Sequence, residues 1–154
     1  MVLADADEAA DLVRRVFIEH VAPLYMAEGI GEFQAYASPE GFKTRLGTRH
    51  AGFVAENQSA HIVGLVEIRD SSHLSLLFVS SLQQRRGIGR ALVQEAMDLC
   101  RKATPPYPAI TVNASPNSVR AYERFGFVPT GPEQERNGIR FVPMEMALST
   151  LGGA

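Results

Sequence analysis

The chain has 154 residues, 45% of them hydrophobic and 21% charged, which predicts one soluble globular domain over residues 1–154. Its 15 basic and 17 acidic residues give a formal net charge of -2, which speaks against a nucleic-acid binder that works by neutralising phosphates. The single cysteine, Cys100, excludes an internal disulfide and a cysteine-rich metal site.

The first seven residues are acidic and lack an apolar signal-peptide core, and no apolar run is long enough to cross a bilayer. We therefore expect a cytoplasmic protein with no metal, no membrane segment and no nucleic-acid partner. Cys100 lies on the apolar face of a predicted helix, which favours a buried structural thiol.

Helical spacing of apolar residues dominates the first part of the chain. Apolar side chains recur three and four residues apart over residues 8–22, which predicts an amphipathic helix. A second helix is expected over residues 31–37, and a third after Ser38, which caps it with Pro39 in the first turn.

From Gly52 the pattern changes to short runs that are typical of strands. Three strands joined by tight polar turns are expected over residues 53–55, residues 61–68 and His73–Val79. The third is a continuous apolar run, typical of the centre of a sheet. Together they predict an antiparallel meander.

The second half alternates helices and strands. The pattern predicts a helix over residues 87–103, a strand over 109–113, a short helix over 115–125 that stops at Gly126, a strand from Phe127, and a last strand over 140–148. The dipeptide Asn137-Gly138 is a strong signal for a hairpin turn. The element order gives an α/β (α+β) fold with a mixed sheet flanked by helices.

One segment carries most of the chemical information, and we call residues 84–89 the glycine loop. Its residues are Gln84, Arg85, Arg86, Gly87, Ile88 and Gly89. Because an apolar strand precedes it and a helix starts on its glycines, backbone N–H groups are expected to converge there and to suit an anion. Arg85, Arg86 and Arg90 add cationic donors for phosphate oxygens.

Several phosphate-binding patterns fail at this loop. A Walker-type loop requires GxxxxGK[ST], which is absent, and a dinucleotide fingerprint requires a third glycine where Leu92 stands. Taken alone, the loop also fits a turn with solvated arginines that binds nothing. A small nucleic-acid-binding domain would depend on the three arginines alone, and the balanced charge speaks against it.

The glycine loop resembles the Q/R-x-x-G-x-G/A signature of the GNAT-type N-acetyltransferase superfamily, and an apolar strand precedes it as in that superfamily. A second motif follows in the expected order, because residues 122–127 resemble the superfamily's Y-x-x-x-G-F motif. The resemblance covers about residues 53–148. It implies a GNAT-like, mostly antiparallel central sheet and acetyl-coenzyme A as co-substrate.

The resemblance also implies roles for individual residues. The backbone of Phe78 and Val79 would bind the pantetheine arm, and the glycine loop with Arg90 would hold the pyrophosphate. Many relatives have a cofactor-contacting asparagine where this chain has Ser115, and Asn117 is the nearby substitute. Tyr122 stands where a tyrosine often protonates the departing thiolate. By position alone, Tyr122 also fits an aromatic residue that anchors the short helix.

A general base is needed as well, because an amine must lose a proton when it attacks a thioester. Glu67 is the candidate that we carry forward, and His73 and Glu28 are the alternatives. Relatives usually begin with a full strand before the first helix, whereas only residues 1–4 are available here. That strand is expected to be short or missing.

The sequence thus favours an N-acetyltransferase that transfers an acetyl group to a primary amine of a small molecule or peptide. A non-catalytic coenzyme A-binding sensor or interaction module on the same fold is the alternative, since a fold does not fix a function. The acceptor is not readable from the sequence, and pairing into a homodimer through the last strands stays open.

Overall fold

The computed structural model describes residues 1–104 and 107–148. The helices are α1 (Ala6–His20), α2 (Ala27–Tyr36), α3 (Pro39–Arg45), α4 (Ile88–Arg101) and α5 (Val119–Phe125). The strands are β1 (His50–Glu56), β2 (Ile62–Arg69), β3 (His73–Val79), β4 (Ala109–Ala114), β5 (Val128–Pro129), β6 (Gln134–Arg136) and β7 (Ile139–Ala147).

The strands form one sheet in the order β1-β2-β3-β4-β7-β5, with β6 paired to β7. Strands β3 and β4 are parallel, and the other neighbouring pairs are antiparallel. This arrangement confirms the expected mixed, mostly antiparallel sheet, including the meander and the central position of β3.

Helices cover the two faces of the sheet unequally. On one face, α4 buries Leu92, Val93, Ala96 and Cys100, which recur at helical spacing, against β2, β3, β4 and β7. On the other face, α1 and α3 pack on β2, β3 and Val54 of β1. Farther out on this face, α2 contacts the start of β7, and Thr111, Asn113 and Glu145 are exposed to solvent.

Cys100 lies in the first of these cores and is fully buried, as expected. Burial raises the pKa of its thiol to about 11. The thiol is therefore protonated at neutral pH, which is consistent with a structural role.

The N-terminal half contains most of the differences from the sequence-based expectations. Helix α2 begins at Ala27 rather than at residue 31, because its two glycines weaken the helical pattern without breaking the helix. Strand β1 is seven residues long, since it pairs with β2 along its whole length. No strand precedes α1 in the described part of the chain: a 3₁₀ turn occupies Leu3–Asp5, and the Met1 ammonium donates to the Gly52 carbonyl at 2.9 Å.

The predicted turn at Asn137 and Gly138 joins β6 to β7. Both residues have positive φ, 53° and 78°, as a two-residue hairpin turn requires. The turn rests on the start of α2, where the Met26 N–H donates to the Gly138 carbonyl at 3.0 Å. A Cβ on Gly29 would overlap that carbonyl. Glycine at position 29 therefore lets α2 and the hairpin touch backbone to backbone.

The contact between α2 and the hairpin leads to a stability prediction. Gly29→Ala should lower the free energy of unfolding by roughly 1–3 kcal/mol, because the helix and the turn must move apart. Gly31→Ala, in the same helix with no atom within 4 Å of its added Cβ, should raise it by roughly 0.5–1 kcal/mol. Urea unfolding of the two variants measures the difference, and equal effects would contradict the contact.

Candidate functional site

Strands β3 and β4 pair only through the first two residues of β3 and the middle two residues of β4. His73 pairs with Thr111 and Leu74 with Val112, and no further pair joins the two strands within the described residues. Beyond Leu74, β3 continues to Val79 and β4 to Ala114. The carboxyl ends of the two strands therefore border an open wedge, and strand edges facing it keep backbone groups free for a ligand.

A β-bulge marks the place where the two strands separate. Glu67 pairs with Leu76 and Ile68 with Leu74, so Ser75 is an extra residue in β3. A bulge bends its strand and increases the local twist. The bend at Ser75 accounts for the divergence of β3 from β4.

The glycine loop lies at the mouth of the wedge, between β3 and α4. Arg85 and Gly87 have φ of 67° and 82°, and Gly87 forms the N-cap of α4 without a side-chain capping bond. Glycine is needed at position 87 because a side chain at this φ is strained. The first-turn N–H groups of α4 are thus left without a side-chain cap, as a site for an anion requires.

A cavity of about 590 Å³ occupies the wedge and its mouth. Nine of the residues expected from the sequence line it: Phe78, Val79, Gln84, Arg85, Gly87, Gly89, Arg90, Asn117 and Tyr122. Three others, Arg86, Ile88 and Ser115, belong to the same loops but do not line it. Glu67, a residue of β2, does not line the cavity.

The side chain of Gln84 turns back toward the strand. Its Nε2 donates to the Val79 carbonyl at 3.1 Å. The carbonyl at the end of β3 thus has a protein partner, and Gln84 holds the glycine loop against the strand.

The opposite rim of the wedge, after β4, is tied to the end of α1. Ser115 Oγ donates to Asn117 Oδ1 at 2.9 Å, and Asn117 Nδ2 donates to the His20 carbonyl at 2.7 Å. The His20 ring in turn lies 3.0 Å from Ser81 Oγ, just after β3. Helix α1 therefore bridges both rims. The sequence alone does not reveal this role of α1, because no local signal shows where a distant helix packs.

The cavity concentrates unpaired positive charge. Eight of the chain's 15 lysines and arginines form ion pairs with carboxylates. The four arginines that line the cavity, Arg85, Arg90, Arg120 and Arg124, form none with the described residues. Arg120 and Arg124 were not expected at the site. The available signal was that they flank Tyr122 and are one helical turn apart. The arrangement suits a ligand with several negative charges.

Tyr122 lines the cavity and is 7% exposed. Its ring packs edge-on against Phe125 and Phe127, with centroids 6.1 and 5.4 Å away. Burial raises the pKa of the hydroxyl well above its ordinary value of 10.0. The hydroxyl is therefore protonated, and able to donate, throughout the neutral range.

Glu67 is fully buried in a polar cluster on the α1 and α3 side of the sheet. Its carboxylate accepts hydrogen bonds from Tyr36 Oη at 2.7 Å, from Arg45 Nε at 3.1 Å and from Ser75 Oγ at 3.1 Å. The Arg45 guanidinium also lies 3.6 Å above the Tyr36 ring. Ser75 belongs to this cluster and is the extra residue of the β3 bulge, but like Glu67 it does not line the cavity.

His73 lies at the closed end of the wedge. Its Nδ1 is 2.8 Å from Thr111 Oγ1, across the parallel pair. Desolvation, with a further contribution from Arg69, lowers the pKa of His73 from 6.5 to about 4. The imidazole is therefore neutral near pH 7. Glu28, the remaining alternative for a base, lies in the first turn of α2.

Two further properties concern the described residues only. They contain no group of three or more His, Cys, Asp or Glu side chains that could hold a metal ion. None of their helices combines the length and the apolar character that a bilayer crossing requires.

Comparisons with known proteins agree with this geometry. A family model described as the acetyltransferase (GNAT) domain matches residues 21–148. No curated protein matches the chain.

Solved structures share the fold over almost the whole chain. A GCN5-related N-acetyltransferase from Rhodopseudomonas palustris is 22% identical, with a TM-score of 0.76 over 96% of this chain and 92% of that chain. The PaiA N-acetyltransferase from Thermoplasma acidophilum, in complex with coenzyme A, is 16% identical, with a TM-score of 0.77 over 96% and 95%. An aminoglycoside 6'-N-acetyltransferase complexed with coenzyme A is 15% identical, with a TM-score of 0.68 over 95% and 92%.

At these identities the structural likeness establishes the fold, and the family model, which spans most of the chain, establishes the family. The chain belongs to the GNAT acetyltransferase family.

Proposed function

We propose that the chain is a single-domain N-acetyltransferase that transfers the acetyl group of acetyl-coenzyme A to a primary amine of a small molecule or peptide. The observation that carries this proposal is the wedge between β3 and β4, with the glycine loop at its mouth. An extended arm that ends in a phosphate group fits such a wedge, and two structural neighbours were solved with coenzyme A.

The cofactor would bind through backbone and charge together. The pantetheine amides would pair with the edge of β3 at Phe78 and Val79, much as an added strand pairs with a sheet edge, and the Val79 carbonyl would then share or exchange its bond from Gln84. The pyrophosphate would lie on the N–H groups of the glycine loop and the first turn of α4, near Arg85 and Arg90. Asn117 would contact the cofactor from the cavity lining, although its amide nitrogen already donates to the His20 carbonyl of α1. Its neighbour Ser115 does not line the cavity.

The proposed reaction is a direct attack of the amine on the thioester. The amine nitrogen forms a bond to the acetyl carbon while it loses a proton to a base, and the carbon–sulfur bond breaks. A backbone N–H on the wedge side of β3 would stabilise the negative charge on the acetyl oxygen. The departing sulfur takes its proton from the Tyr122 hydroxyl, which burial keeps protonated.

For the general base we propose Glu67, acting through Ser75. The Ser75 hydroxyl donates to Glu67 Oε1, so it can pass its proton on while its oxygen accepts the proton of the amine. Arg45 Nε donates to both carboxylate oxygens and so holds the Glu67 side chain in place against Ser75. The alternative is His73, whose neutral ring at the closed end of the wedge offers a lone pair without a relay.

The alternative function, a sensor or interaction module that binds coenzyme A without turnover, shares every binding feature described above. It differs in the chemistry alone, because a sensor needs neither the acid nor the base. The buried, protonated Tyr122 hydroxyl in the cavity lining favours the enzyme.

We expect acetyl-coenzyme A to raise the melting temperature by roughly 5–10 °C at a hundredfold excess over its Kd, because it binds the native state. A thioester-consumption screen over small amines, polyamines, amino acids and peptides should then identify an acceptor. No stabilisation by acetyl-coenzyme A would refute the proposal. Stabilisation without turnover over the whole panel would favour the sensor.

Tyr122→Phe should lower kcat by roughly 10²-fold while the Kd for acetyl-coenzyme A changes less than twofold. The ring contacts with Phe125 and Phe127 are kept, and only the proton donor is lost. Stopped-flow turnover and calorimetric binding measure the two quantities, and Phe127→Leu serves as a packing control that should alter stability. An unchanged kcat would remove Tyr122 from the mechanism.

The base is tested by Glu67→Gln, Ser75→Ala and His73→Gln. If Glu67 acts through Ser75, the first two variants should each lower kcat by roughly 10²-fold with little change in KM for acetyl-coenzyme A, and His73→Gln should not. Ser75→Ala is needed because Glu67→Gln leaves Arg45 partly unpaired and destabilises the fold.

The opposite pattern would assign the base to His73. In that case the acid limb of the wild-type kcat profile should lie near pH 4, where the buried imidazole becomes protonated and loses its lone pair. The His73→Gln variant should lack that limb.

A further inference from the structure

Two arginines on the short helix α5 are not used by the proposed pyrophosphate site. Arg120 and Arg124 are one helical turn apart, so they lie on the same face, and both line the cavity. Neither forms an ion pair with a carboxylate among the described residues. They stand on the β4 side of the cavity, whereas the glycine loop stands on the β3 side.

Such a pair needs a compensating charge. Like charges one turn apart repel each other and disfavour a helix, and α5 has only seven residues to absorb that cost. In a chain of net charge -2, carboxylates pair with most of the arginines outside this cavity. The unpaired positive charge of α5 faces the cavity, where a ligand could neutralise it.

Arg90 fixes the position of α5 and therefore of its two arginines. Its Nη2 donates to the Arg124 carbonyl at 3.2 Å, and its guanidinium lies 5.7 Å from the centre of the Phe125 ring. These contacts hold the end of α5 against the start of α4. The α5 arginines therefore lie beside the N–H groups of the glycine loop but form a separate group of donors. The cavity thus offers two neighbouring positions for anions.

Acetyl-coenzyme A carries negative charge at two separate places, the pyrophosphate and the 3′-phosphate of its ribose. We propose that Arg120 and Arg124 form a subsite for the ribose 3′-phosphate, so that the protein distinguishes acetyl-coenzyme A from its 3′-dephospho form. This inference rests on the proposed function, because the glycine loop must already hold the pyrophosphate.

The test compares the Kd of acetyl-coenzyme A with that of acetyl-3′-dephospho-coenzyme A by calorimetry. The wild type should bind the dephospho form about tenfold or more weakly, because charge-assisted hydrogen bonds to one phosphate are lost. The double variant Arg120→Gln/Arg124→Gln should bind both forms with nearly equal Kd. Both changes are at exposed positions on a helix, and circular dichroism verifies the fold.

Two further variants separate the subsite from general electrostatics. Lys102→Gln, at the far end of α4, removes a charge outside the cavity and should keep the wild-type ratio of the two Kd values. Arg85→Gln should weaken both ligands and also keep the ratio, because the pyrophosphate is common to them.

Equal binding of the two ligands by the wild type would overturn the subsite while leaving the proposed function intact. A double variant that keeps the wild-type ratio would do the same. If the wild type binds neither ligand, the proposed function fails, and the subsite fails with it.

Discussion

Strands β3 and β4 lie side by side for two residue pairs and then separate, with the bulge at Ser75 where β3 changes its register against β2. A parallel pair that continued to Val79 would fill its hydrogen bonds within the sheet and leave no room between the strands. Because the pairing stops, two strand ends, a loop and two helix starts all face one cavity. The position of each candidate residue follows from that separation.

The wedge keeps its width through polar contacts at its mouth. Helix α1 bridges the rims through His20, which contacts Ser81 on one side and Asn117 on the other. Arg90 connects the start of α4 to the end of α5. Exposed hydrogen bonds of this kind contribute about 1 kcal/mol each, far less than the hydrophobic cores on either side of the sheet. The mouth of the cavity can thus change shape at low energetic cost while the strands stay in place.

The sequence was most informative where local chemistry decides the structure. Strand β3, the start of α4 at the glycine loop and the turn at Asn137 each follow from local apolar or glycine patterns, and all were predicted. Tertiary contacts decided the rest. Strand β2 is buried on both faces, so alternation along it cannot show which face Glu67 takes, and the role of α1 at the cavity depends on packing across the sheet. The length of β1 similarly depends on its pairing with β2.

The single cysteine has a consequence for studying motion in this protein. The Cys100 thiol faces the core from α4, the helix that begins at the glycine loop, and it is closed to solvent. A thiol reagent can therefore react only in molecules where that part of the core has opened. The rate of modification at Cys100 reports how often α4 lifts from the sheet, without the introduction of a further cysteine.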